Sequence, residues 1–188
     1  MILTFFWRVV GLTLMAFAVN VSSAYAHSLP GSVLTFSQQG ESLNLTVTFP
    51  LEDLAIAEEY FHGLEENPAE ALLSEQDKAY LFVYFQQHLE VEKNAKTLPY
   101  RLTNAELKSA YHHDLGNYVL VVSHLTFSLD SYEKALPLTL DYDAVMHEIR
   151  SHRATVYWQP ADGERQKLSS FRYKRVEGKL QTYLLHHS

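Results

Sequence analysis

The chain has 188 residues, a formal net charge of −7, no cysteine, 7 Gly and 6 Pro, and is 47% hydrophobic. That is too short for a (β/α)8 barrel, too apolar for disorder and too poor in Gly and Pro for a low-complexity chain. Without Cys there is no disulfide framework, thiolate zinc site, cysteine nucleophile or lipidated-Cys anchor, and the acidic balance argues against nucleic acid as the main partner.

Met1 to Ala26 has the pattern of a secretory signal: Arg8, the apolar run Val9–Val19, then a small-x-small cleavage site at Ala24-Tyr25-Ala26. The run is shorter than a bilayer-spanning helix needs. Removing these 26 residues shortens the 188-residue chain to 162 and, because only Arg8 among them is charged, moves the net charge from −7 to −8. A Cys-free exported chain fits a bacterial periplasm. The expectation is one domain over 27–188, periplasmic or secreted.

From Val33 to Gln38 a first strand is expected, then a turn at Gln39–Ser42. Leu43, Leu45, Val47 and Phe49 alternate with Asn44, Thr46 and Thr48, the period of a strand wet on one face. Pro50 ends it, since proline cannot donate to a ladder. A helical insertion occupies about 51–88. Ser74 is its clearest N-cap, with Glu75 and Asp77 in the first turn, and Leu81, Phe85 and Leu89, flanked by Ala79, Phe82 and Val83, form a broad apolar face.

Strands then resume. Leu89–Lys93 and Leu98–Leu102 are expected to pair around Asn94-Ala95, and Asn117–Leu129 is the longest strand. Leu136–Tyr142 and His152–Trp158 alternate, Asp162-Gly163 turns into Gln166–Lys174, and Glu177-Gly178 turns into a last strand over Lys179–Leu185. About eight short strands favour a mainly β fold, an Ig-like antiparallel β-sandwich with one helical insertion.

Ten histidines are the chemical feature of the chain. Cleavage after Ala26 makes His27 the first residue, whose α-amine and imidazole together can chelate Cu(II). Against this, no second ligand lies at a diagnostic spacing. His112 and His113, beside Asp114, are expected in a loop, the setting in which adjacent histidines can both ligate a metal; on a strand they would face opposite ways. His62, His88 and His124 read as surface positions. His147 and His152 are five apart, not the four of a zincin helix, and His152 opens a strand, so the metalloprotease reading fails. His152 shares a face with Ala154, Val156 and Trp158, which assigns it and Arg153 a structural or interaction role. There is no Gly-x-Ser-x-Gly elbow, phosphate loop or dinucleotide fingerprint.

Several short motifs occur together: Ala26-His27-Ser28-Leu29-Pro30-Gly31-Ser32, Pro50-Leu51-Glu52-Asp53-Leu54-Ala55, Gln87-His88-Leu89-Glu90-Val91, Tyr142-Asp143 and Ser151-His152-Arg153. Together they resemble the exported N-terminal domain of HupE/UreJ-type membrane proteins. The chain stops near where that family's transmembrane helices begin, so membrane transport does not carry over. The resemblance implies a periplasmic β-rich accessory or binding domain with an inner-membrane protein partner. Through the family's association with hydrogenase and urease metallocentres, it also makes nickel or another transition metal conceivable, with no ligand residue implied. The competing expectation is a copper-binding protein that uses His27.

Overall fold

The computed structural model describes residues 30–129 and 134–186. It opens on β1 (Ser32–Gln39) and β2 (Ser42–Pro50), joined through Gly40, whose φ of +60° suits a residue without a side chain. The expected alternation holds: Leu34, Phe36, Leu43, Leu45, Val47 and Phe49 are buried, and their neighbours face out.

Pro50 hands the chain to α1 (Leu51–Ala57), a 3₁₀ stretch at Glu59–Glu66 and α2 (Glu75–His88). Ser74 caps α2: its Oγ accepts the Asp77 N–H at 3.1 Å. The buried face of α2 is narrower than its sequence suggests. Leu81, Tyr84 and Phe85 are buried, whereas Ala79 and Val83 are exposed. The helix lies over the edge of the core, so only one stripe meets it.

β3 (Leu89–Lys93) follows α2 without a break and turns through Asn94 and Ala95, both at positive φ, into the short β4 (Lys96–Thr97). Leu98–Leu102 does not pair with β3 as expected. Leu98 alone returns, its N–H bonding the Val91 carbonyl, and Tyr100–His112 forms β5, paired along its length with β6 (Gly116–Ser128). The expected turn at Asn94-Ala95 does form a hairpin, with Lys96 and Thr97 as its second arm, and from Tyr100 onward the chain joins the longer ladder with β6. The remaining strands are β7 (Leu138–Tyr142), β8 (Arg153–Trp158), β9 (Gln166–Arg172), β10 (Arg175–Val176), β11 (Lys179–Leu180) and β12 (Tyr183–Leu185). The expected single last strand is therefore two, in different sheets, and the described residues hold twelve strands rather than about eight.

The fold is mainly β, a sandwich of two sheets with helices in the connection. One sheet runs β5-β6-β2-β1-β8-β9, the other β12-β7-β3-β4, and β10 and β11 form a separate two-stranded ribbon. Neighbours are antiparallel except β1 and β8, which run parallel with Ser32 beside Ala154. A parallel pair needs a long crossover, and here the helices and the second sheet supply it. One buried cluster joins residues of both sheets with Leu54, Phe61, Leu81 and Phe85 from the helical connection. Among the described residues no helix is long and apolar enough to cross a membrane.

Candidate functional site

Two polar constellations form where β7 meets the helical connection, on opposite sides of one strand. The outer one follows from register. β3 pairs antiparallel with β7, Leu89 opposite Tyr142, so the next pair outward is His88, the last residue of α2, and Asp143. The Asp143 N–H bonds the His88 carbonyl at 3.1 Å. The chain then turns: the His147 N–H bonds the Asp143 carbonyl at 2.9 Å, which brings a residue four positions on back over Asp143.

His88 Nδ1 lies 2.8 Å from Asp143 Oδ1, with side-chain exposures of only 16% and 13%. His88 is therefore not the surface residue expected. His147 Nδ1 donates to the Asp143 carbonyl at 3.2 Å, which leaves Nε2 as its lone-pair nitrogen. The two imidazoles stack at 4.1 Å, 15° from parallel. One donor atom from each of His88, Asp143 and His147 lies within 4.8 Å of the other two.

Tyr84, one turn before His88 on α2, supports this turn from below. Its ring is 4.6 Å from that of His88, and its hydroxyl accepts the Val145 N–H at 2.8 Å. Burial pushes the phenol well above its ordinary pKa, so it stays neutral. Val145 sits at φ +66°, a conformation that a β-branched residue holds only when its surroundings impose it.

A cleft of about 260 Å³ borders the cluster, lined among others by His88, Glu90, Asp141, Asp143 and Arg175. Glu90 is directly opposite Asp141 on the paired strands, an arrangement that costs stability for like charges. Asp141 Oδ1 is buried without a hydrogen-bond partner. Three carboxylates against one guanidinium leave these walls at a net −2 with the histidines neutral. The C-terminal end of α2 adds partial negative charge. The arrangement attracts a cation.

The donors fit a divalent transition metal. Imidazole and carboxylate without thiolate suit Zn, Ni, Co or Cu(II). Metal–ligand bonds of about 2.0–2.2 Å place neighbouring donors roughly 3–3.5 Å apart, close to the His88–Asp143 separation. With the rings stacked nearly parallel at 4.1 Å, in-plane lone pairs on the two cannot meet at one ion, so holding a metal would require one imidazole to turn toward the other donors.

The inner constellation is a Ser–His–Asp chain. His152 Nδ1 meets Asp53 Oδ2 at 2.9 Å, and His152 Nε2 is 2.8 Å from both the backbone N and the Oγ of Ser32. The Ser32 N–H donates, so Nε2 is the acceptor and Nδ1–H points at Asp53. Tyr142 donates its hydroxyl to Ser32 Oγ at 3.0 Å, and burial raises its pKa far enough to keep it a donor. The order resembles a hydrolytic triad. Ser32, however, is 1% exposed and its own backbone N–H engages the base, so the group holds structure together instead of attacking a substrate.

His27 lies outside the described residues. His112 and His113 sit with Asp114 at the tip of the β5–β6 hairpin, where the three have donor atoms within 4.8 Å of one another; His113 and Asp114 are exposed. His113 Nε2 is 2.8 Å from Asp114 Oδ1. The structure brings neither histidine near the His88 cluster. His152 is buried in the inner network. Arg153 is exposed on β8 and reaches Ser170 Oγ across β9 at 3.4 Å. The sequence reading missed His88, Asp143 and His147 as a set. The local signal for them in the sequence is the four-residue spacing from Asp143 to His147.

A scan against protein-family models and a search of curated proteins each returned no match.

Proposed function

We propose that the chain is an exported, non-enzymatic binding domain that holds one divalent transition-metal ion at His88, Asp143 and His147, and that it acts beside a membrane protein partner. The observation that carries this reading is the convergence of donor atoms of these three side chains to within 4.8 Å, beside a cleft that His88 and Asp143 line together with Glu90, Asp141 and Arg175. The signal-like Met1–Ala26 supports export to the periplasm. The resemblance to the exported domain of HupE/UreJ-type proteins supports the membrane partner. A pair of part-buried histidines of which one must turn to load a metal suits reversible carriage better than a closed structural site.

The test is equilibrium dialysis of the purified protein against Zn²⁺, Ni²⁺ and Cu²⁺, with His27→Ala to remove the terminal imidazole. One ion retained per His27→Ala chain, and lost in a His88→Ala/His147→Ala variant, supports the reading. Binding that disappears with His27 instead assigns the metal to the terminal amine–imidazole chelate and overturns it.

A further inference from the structure

Two of the three metal donors ride on one segment, Asp143 to Ser151, between the end of β7 and the start of β8. Its flanking residues are Tyr142 and His152, and both close on the same atom. Tyr142 donates to Ser32 Oγ at 3.0 Å, and His152 Nε2 lies 2.8 Å from that oxygen. Asp53 on α1 fixes the far side of His152. One residue earlier, Gly31 presses on β8: a Cβ there would sit 2.0 Å from the Arg153 carbonyl oxygen. The first residues of β1 and both ends of the ligand-bearing segment therefore meet at one buried junction.

We infer that Ser32 is a positioning residue for the metal site, and that metal occupancy is coupled through it to the seating of Gly31 and Ser32 against β8. This rests on the metal reading above. A loop carrying two donors and a strained Val145 keeps its shape only if its ends are held. With Ser32 in place the loop is ordered before the ion arrives. Without it, ordering must occur on binding and affinity falls. Coupling is reciprocal, so a bound ion also tightens the hold on Gly31 and Ser32. The domain thereby acquires a means of signalling metal occupancy at its N-terminal edge, distant in sequence from the ligands.

The experiment compares wild type with Ser32→Ala and with Tyr142→Phe, which removes a single hydrogen bond, all in the His27→Ala background. Amide hydrogen exchange is read without metal. Co²⁺ affinity and the Co²⁺ d–d spectrum are read with it. Expected are faster exchange confined to residues 143–152 and the first residues of β1, about tenfold or more weaker Co²⁺ binding, and a changed d–d spectrum. A general loss of stability would speed exchange everywhere and leave the spectrum of the bound ion unchanged, which overturns the inference. Unchanged exchange at 143–152 in both variants overturns it as well. Absence of Co²⁺ binding by the parent protein refutes the metal reading, and the coupling falls with it.

Discussion

Removing one oxygen from Tyr84 tests how the ligand-bearing turn is supported. Tyr84→Phe keeps the ring that packs against His88, and deletes only the hydroxyl that accepts the Val145 N–H at 2.8 Å. Val145 is fully buried and Tyr84 nearly so, so water cannot replace the lost acceptor. A buried donor left unpaired costs about 1–3 kcal/mol. A domain of this size loses roughly 2–4 °C of Tm per kcal/mol, which gives a fall of about 2–12 °C. The assay is urea and thermal unfolding, with Tyr80→Phe as the matched control, because Tyr80 lies on the same helix at 49% exposure. The control is expected within about 0.5 kcal/mol of wild type. A Tyr84→Phe protein as stable as the control would refute the claim that this bond holds the Val145 turn.

Gly31→Ala would place a Cβ 2.0 Å from the Arg153 carbonyl oxygen; β1 must move off β8, and unfolding should show a loss of about 1–3 kcal/mol or more. Ser74→Ala removes the α2 cap and should cost about 1 kcal/mol in urea unfolding. The hydrogen bond from Lys108 holds the Glu106 carboxyl below its ordinary range. Stability from that pair is therefore present above the unfolded carboxylate pKa and is lost as pH falls through the lowered folded value. Lys108→Met should move the Glu106 titration upward in an NMR pH series, with a small effect on stability because the pair is largely solvated.

Much of the β-sandwich is legible in the chain because its inner faces alternate strictly. β2 shows this best, with four large apolar residues at period two, and the Ser74 cap places the start of α2 without help from tertiary structure. β5 is illegible for physical reasons. Asn104 to Ala110 includes Ala105, Glu106, Leu107 and Lys108, a composition of helix formers, and the ladder slips between Leu102 and Asn104, which breaks the alternation. Pairing with β6 on one side, and the backbone bonds of Ala71 and Leu73 on the other, make it a strand. The candidate site is hidden for a different reason. His88 and Asp143 are 55 residues apart and meet because Leu89 pairs with Tyr142, a register that no local pattern encodes. The burial of His152 was readable from its alternation with Ala154, Val156 and Trp158, but its partners Ser32 and Asp53 come from other elements.

The central claim is that His88, Asp143 and His147 form one metal site. Its most direct test is a Zn²⁺ titration of the His27→Ala protein followed by the imidazole ¹⁵N signals. The account predicts that the ring nitrogens of His88 and His147 shift together and saturate at one equivalent, while those of His112 and His113 stay in place. Saturating shifts at His112 and His113, or none at His88 and His147, would contradict it.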